Sequence, residues 1–490
     1  MGLAFGDLDG DGRADLLIGA PGEDIGTRKD AGTTALVYGS QSGIGRTATL
    51  RSKKGLKGAA EANDMLGAAI ATGDFDCDNR DDVAVGIPGE NLRGIADTGA
   101  VALTYGASSG TNRAAILYQG KWLAGERNAG DRTGAALASG DFDGDGCADL
   151  AVGSPGEDIG GAADAGAVTV IFGRSGGLSK NARRSAVLSQ GNGFAGFAER
   201  GDHLGATLAA GDFDCDGYDD LAAGVPSESI DAATGAGAVS ILYGSRRGLT
   251  GEAVTLYQSS GIAGILEAGD RVGAALAAGD FDNDGCADLA VGAPSEDIDA
   301  ANEAGAVSVV FGSRRGLDDS EVLYQGGQGR LPGKVESGDV LGAALAAGDL
   351  DCDGYDELIM GAPGEDIAGK RDTGWIGVVR GSRNGFGATE SLYQGKGRLP
   401  GANEHDDRTG TSLATGDMDG NGCSDLAIGA PGESIGSRAN AGRALVVMGS
   451  RGGPSSARSL SQAKNLPGGS EPGDYLGGPG VWELLGLSLH

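Results

Sequence analysis

Histidine is nearly absent: His203, His405 and His490 are the only three in 490 residues. That leaves little for general acid–base chemistry near neutral pH. His203 stands where Arg132, Arg271 and Val340 stand in parallel stretches of the chain, so it reads as a loop residue and not as a base. Two Gly-x-Ser-x-Gly matches, 106–110 and 173–177, have no histidine partner and no strand-to-helix setting, so they read as turns. No nucleophile–base pair can be named, and the chain reads as a non-enzyme. Basic residues are also scarce, with 38 Lys and Arg against 69 Asp and Glu and a formal charge of −31. With no basic patch, the composition argues against a nucleic-acid partner. No apolar run approaches the roughly 18 residues that a membrane-spanning helix needs.

Glycine, by contrast, is abundant at 96 residues. Unpatterned, it would suggest low complexity. Here it recurs at fixed positions, which reads as turns and close backbone approaches. The stretch from Gly140 to Pro155 shows the unit. Asp141, Asp143, Asp145 and Asp149 fall at positions 1, 3, 5 and 9 of a loop that turns on Gly146 and runs straight into an apolar strand. Four carboxylates in nine residues repel one another unless a cation holds them. Alternating oxygen ligands around a glycine turn suit Ca²⁺, which takes six to eight oxygens.

The same loop begins at Asp7, Asp74, Asp141, Asp212, Asp280, Asp349 and Asp417, at separations of 67, 67, 71, 68, 69 and 68 residues. A period of that kind sets the architecture before any finer reading. The other six acidic sets are Asp7, Asp9, Asp11 and Asp15; Asp74, Asp76, Asp78 and Asp82; Asp212, Asp214, Asp216 and Asp220; Asp280, Asp282, Asp284 and Asp288; Asp349, Asp351, Asp353 and Glu357; and Asp417, Asp419, Asn421 and Asp425. An EF-hand opens the same way but needs a glutamate at position 12 and a helix on each side. Position 12 here is Ile18, Val85, Val152, Ala223, Val291, Met360 and Ile428, all apolar, and that reading fails. Up to seven Ca²⁺ would add +14 to the formal charge and leave about −17. The position-7 carbonyls of Arg13, Arg80, Cys147, Tyr218, Cys286, Tyr355 and Cys423 would complete much of each shell.

Each loop is followed by Gly-x-Pro, from Gly19-Ala20-Pro21 to Gly429-Ala430-Pro431. Some twenty residues later comes an aromatic-Gly pair, as at Tyr38-Gly39, Tyr105-Gly106, Phe172-Gly173, Tyr243-Gly244 and Phe311-Gly312. With seven in-phase copies over nearly all of its length, the chain resembles the FG-GAP repeats of integrin α-subunit propellers and of secreted bacterial relatives. It departs from the pattern at Arg380 and Met448 in place of the aromatic, at Glu357 in place of the ninth-position Asp, and at Asn421 in place of the fifth.

One unit supplies four strands. In the third copy these are 134–138, of small residues suited to a crowded axis, then 150–153, 167–172 and 186–190. Seven such units predict an all-β fold, a seven-bladed β-propeller with the acidic loops between first and second strands. A repeat array also answers the problem of 490 residues, too many for one core. Blades are expected to start near 1, 65, 131, 202, 270, 339 and 407, within a propeller domain of residues 1–478, followed by a divergent tail, 479–490. Copy one has only Met1 to Phe5 ahead of its loop and lacks most of a first strand. Gly473-Asp474-Tyr475-Leu476-Gly477 matches the prelude Gly269-Asp270-Arg271-Val272-Gly273, so residues 473–478 are expected beside the N-terminal strand as the closing strand of blade 1. A piece of a longer array is the competing reading.

Six cysteines fall in six of the seven loops. Cys77, Cys215 and Cys352 take position 4 in copies two, four and six, while Cys147, Cys286 and Cys423 take position 7 in copies three, five and seven. The alternation predicts adjacent-blade disulfides Cys77–Cys147, Cys215–Cys286 and Cys352–Cys423, because the shifted pairing strands Cys77 and Cys423. Six buried thiols in a reduced compartment are the alternative. Calcium sites and disulfides together point outside the cell, with the leader outside this sequence, since Met1 falls within a repeat.

Arg200-Gly201-Asp202 spells an adhesion tripeptide, yet Gly-Asp recurs in this register in other copies and belongs to the fold. Glu23, Glu90, Glu157, Glu228, Glu296, Glu365 and Glu433, each two residues after the proline, either line a binding face or anchor loops. The resemblance implies a calcium-binding extracellular module for protein interaction or cell adhesion, with a protein or glycan ligand on a loop face. The competing readings are a lectin propeller, which lacks support because Trp122, Trp375 and Trp482 do not recur in register, and the non-catalytic repeat region of a secreted hydrolase.

Overall fold

The computed structural model describes residues 2–478 apart from 53–54, 57–59, 109, 179–184, 251–252, 327–329, 396–397, 463 and 468–470; the tail 479–490 lies outside the described residues. Among the described residues there is no helix, and the strands form seven sheets of four or five strands each. Neighbouring strands run antiparallel in chain order, and the fifth strand, where present, is a two-residue parallel addition. The first strands meet around an axis, and Leu3–Gly6 of blade 1 touches both Ile70–Gly73 of blade 2 and Leu413–Gly416 of blade 7. The ring is closed, and the fold is the seven-bladed β-propeller.

Blade 3 shows the local logic. Its strands are Ala136–Gly140, Asp149–Ser154, Ala167–Ile171 and Ser185–Gln190. The first starts two residues later than the sequence suggested. Gly134 has φ +90° and donates its N–H to the Gly153 carbonyl at 2.9 Å, so it belongs to the entering turn. The second strand is buried at all six positions in every blade, which is why, after its opening carboxylate, it is built of Leu, Val, Ile, Ala and Gly, with Ser154 and Met360 the exceptions. At the axis the first strands leave a cavity of about 190 Å³ lined by alanines such as Ala136, Ala206, Ala274 and Ala344, with Leu3 and Thr411 among the others. Small residues dominate there because the blades taper together.

Blades are joined by three repeated contacts. The glycine of Gly-x-Pro lies against the prelude of the next blade, so a Cβ on Gly153 would collide with the Gly205 carbonyl and one on Gly292 with that of Gly342. Gly429 meets Gly477 in the same way, and the Gly477 N–H donates to the Gly19 carbonyl at 2.8 Å. Residues 473–477 thus lie where a prelude to blade 1 would lie. They form a single parallel bridge, Leu476 to Gly442, as other preludes do (Leu204 to Gly166, Leu341 to Gly305), and not the strand expected from the sequence; the innermost strand of blade 1 is Leu3–Gly6.

The second contact is the hydrophobic core, divided into clusters shared by adjacent blades. The third is a polar latch. The glutamine at or just beyond the end of the fourth strand of one blade donates to the glutamate beyond Gly-x-Pro of the next: Gln119 to Glu157, Gln190 to Glu228, Gln258 to Glu296, Gln325 to Glu365 and Gln394 to Glu433, at 2.6–3.0 Å. Gln462 to Glu23, at 2.6 Å, makes the same bond across the chain ends. Ser52 takes the glutamine's register in blade 1, ahead of Glu90. The recurring glutamates therefore anchor seams.

Candidate metal centres

Each acidic loop is a tight turn held by its own carboxylates. Position 4 is left-handed in all seven loops (Gly10, Cys77, Gly144, Cys215, Asn283, Cys352 and Gly420, φ between 54° and 74°). Position 6 is left-handed as well, from Gly12 to Gly422, with Asn79 the one non-glycine. These two reversals turn backbone N–H groups inward. In loop 3 Asp141 accepts from Asp145 N–H at 3.1 Å and Gly146 N–H at 2.9 Å, and Asp145 accepts from Cys147 N–H at 3.0 Å. The same pair of bonds to position 1 recurs in all seven loops. Asn421 keeps the fifth-position role through its carbonyl, which accepts from Cys423 N–H at 2.7 Å.

Position 9 sits deepest. Asp220 accepts from Phe213 N–H at 2.8 Å and from Gly244 N–H, of the aromatic-Gly pair, at 2.7 Å. Asp15, Asp82, Asp149, Asp288 and Asp425 make the same two bonds. Glu357 reaches Leu350 N–H at 2.7 Å, while its other oxygen is buried without a hydrogen-bond partner. Burial pushes these carboxyls up, to about 8 for Asp82, Asp149 and Glu357 and about 7 for Asp15, Asp220, Asp288 and Asp425. A neighbouring cation would reverse that cost.

Several loops bring their oxygens together. One oxygen each from Asp7, Asp9 and Asp11 lies within 4.8 Å of the others, and the same holds for Asp74, Asp76 and Asp78, for Asp141, Asp143 and Asp149, and for Asp212, Asp214 and Asp220. At position 3, Oδ1 of Asp9, Asp76 and Asp351 is buried and accepts no hydrogen bond, while the other oxygen of each is paired with Arg46, Arg113 or Arg380. Acceptor-only oxygens with free lone pairs, crowded and partly desolvated, fit a hard divalent cation.

The cysteines pair as the alternation predicted: Cys77–Cys147, Cys215–Cys286 and Cys352–Cys423, with Cα separations of 5.2, 4.9 and 4.9 Å. Position 4 of one loop faces position 7 of the next. Where no disulfide forms, a side chain covers the gap: Arg80 lies over Gly10, Tyr218 over Gly144 and Arg13 over Gly420.

Three features of the site went unread in the sequence. Position 2 (Leu8, Phe75, Phe142, Phe213, Phe281, Leu350 and Met418) is buried in every loop and wedges it to the core. At position 8, Asp81, Asp219 and Asp356 each accept the N–H of position 1 in the preceding loop, at 2.8–3.1 Å, across the seams without disulfides in the first six blades. The glutamine latch is the third, although Leu-Tyr-Gln or Leu-Ser-Gln recurs six times and could have signalled it. Other candidates fall away from chemistry. Asp202 of the Arg-Gly-Asp tripeptide is buried and accepts from Glu199 N–H at 2.6 Å. His203 shares a 3.1 Å hydrogen bond with Ser227, and burial lowers its pKa. Ser175 sits in a turn closed by Gly177 N–H to the Arg174 carbonyl at 2.9 Å.

The model of the FG-GAP repeat matches residues 1–37, 66–103, 133–171, 204–242, 272–310, 341–376 and 409–447. The chain is 29% identical to Integrin alpha pat-2 of Caenorhabditis elegans over 250 residues, covering 47% of this chain and 18% of that protein. It is 30% identical to the phosphatidylinositol-glycan-specific phospholipase D of Bos taurus over 159 residues, 31% of this chain and 18% of that one. The matches span less than a fifth of either relative. Among solved structures, rhamnogalacturonan lyase YesW aligns over 87% of this chain and 69% of its own, at 16% identity and a TM-score of 0.40.

Proposed function

The chain belongs to the FG-GAP repeat family, and from that premise we propose that it is a calcium-stabilised extracellular propeller that presents loops to a protein ligand, as an interaction or adhesion module. Asp7, Asp74, Asp141, Asp212, Asp280, Asp349 and Asp417, with their partners at positions 3, 5 and 9, would hold the ions. Calcium would supply charge neutralisation; the chain's own carboxylates and position-7 carbonyls would supply the oxygens. The observation that carries the reading is the convergence of acidic-loop oxygens within 4.8 Å, as for Asp141, Asp143 and Asp149 and for Asp212, Asp214 and Asp220. Three disulfides between adjacent blades suit an oxidising compartment.

The integrin relatives favour a protein ligand. On the reading of a non-catalytic module, the chain's surface, not a reaction centre, does the work: His203 and His405 are both engaged in hydrogen bonds to neighbouring loops. The phospholipase relative keeps alive a second role, as the repeat region of a larger hydrolase. Among the described residues no helix is long and apolar enough to cross a membrane. The test is capture of extracellular proteins by the immobilised chain with calcium at roughly millimolar concentration, the range in which extracellular modules bind it, or with chelator, beside a glycan array. Calcium-dependent capture of a defined protein is expected. Binding confined to glycans would replace this reading with a lectin, and turnover of a substrate would replace it with an enzyme.

A further inference from the structure

The seven loops are not electrostatically alike. In loop 1 Arg13 pairs with Asp11 at 2.8 Å and Arg46, from the fourth strand, pairs with Asp9 at 3.1 Å. In loop 2 Arg80 pairs with Asp78 at 3.0 Å and Arg113 with Asp76 at 2.6 Å. Both strand-borne arginines are fixed from behind by an aromatic face, Arg46 lying 3.4 Å above the Tyr38 ring and Arg113 4.3 Å above that of Tyr105. Positions 3 and 5 are thus each met by a guanidinium from inside the chain. Loop 6 carries a single such pair, Arg380 to Asp351, with none at position 5, and among the described residues no ion pair reaches the acidic positions of loops 4, 5 and 7.

From this we infer that the four arginines of loops 1 and 2 take the place of a bound cation there, so that calcium loading is confined to the later loops. The inference rests on the calcium reading proposed above and divides it. Four carboxylates with two guanidinium groups leave a charge of −2, against −4 in loops 4 and 5 and −3 in loop 7, where Asn421 is neutral. A divalent ion entering loop 1 or 2 must displace two charge-assisted hydrogen bonds or share its oxygens with them. In loops 4, 5 and 7 it meets carboxylates that no ion pair among the described residues neutralises. The arrangement follows position: Arg13 and Arg80 occupy position 7, which holds cysteine or tyrosine in the other five loops.

Calcium counting by native mass spectrometry tests this on the chain and on Arg13→Gln/Arg46→Gln. We expect no more than five ions on the unaltered protein, and one more on the double variant. Seven equivalent ions, or an unchanged count in the folded variant, would overturn the inference and leave the calcium reading standing; no ion in either protein would overturn that reading and the inference with it. Hydrogen exchange on the unaltered chain supplies the arm that does not depend on the variant's folding. Chelator should deprotect 212–220, 280–288 and 417–425 and leave 7–15 and 74–82 unchanged; equal deprotection of all five overturns the inference.

Discussion

Within each acidic loop the residues divide into those that hold the backbone and those that would hold the ion. Asp220 satisfies two buried N–H groups, so Asp220→Ala strands both and should cost about 2–5 kcal/mol with or without calcium. Asp214, at position 3, is half-exposed and supports less of the backbone, and burial raises its pKa only partly offset by the Asp216 N–H. Asp214→Ala should change stability little in chelator and lose part of the gain on adding calcium. Guanidinium unfolding of both variants in the two conditions separates the roles; equal losses in chelator would contradict the division. Positions 1, 3, 5 and 9 could be read in the sequence because their spacing is local. What position 9 does could not, since one of its partners, the Gly244 N–H, lies 24 residues away, just beyond the third strand. The arginines of loops 1 and 2 were hidden for the same reason: Arg46 reaches Asp9 only through strand pairing.

Strands and seams carry the next level. The alternation of cysteines between positions 4 and 7 was legible as a pairing rule, and its basis is now plain, since position 4 of each loop faces position 7 of the next. The closing segment was legible by its match to other preludes, yet it forms a single bridge and no strand, as those preludes themselves do. Gln462 was overlooked, although it spans the chain ends by donating to buried Glu23. A hydrogen bond to a charged group contributes about 1.5–3 kcal/mol. Gln462→Leu should therefore raise amide exchange in Leu3–Gly6 and in 473–477 roughly ten-fold or more, while blades 3 to 5, tied by their own latches and by Cys215–Cys286, keep their protection. Uniform acceleration across all blades would mean that this latch is not local to the seam.

At the scale of the whole ring, buried carboxylates set the response to pH. Burial raises Glu23, Glu228 and Glu296 from 4.5 to about 7 despite their glutamine donors. A carboxyl whose folded pKa is raised contributes stability that is complete below pH 4.5 and is lost as pH climbs through 7. The metal-free protein should accordingly melt higher at pH 5 than at pH 8, and Glu228→Gln/Glu296→Gln should narrow that difference; a higher melting temperature at pH 8 would contradict it. Fold class and blade number were open to reading because seven copies repeat at a near-constant interval, so that one unit predicts the rest. The ligand-bearing surface was not, because recognition depends on loop residues that the repeat does not dictate. Cation binding is the claim on which the proposed function turns, and scanning calorimetry tests it most directly. With calcium at about 100 times its Kd, each loop that fills should add about 2.7 kcal/mol, so the melting temperature should climb with calcium concentration and fall back in chelator. A melting temperature indifferent to calcium from micromolar to millimolar levels would contradict the account.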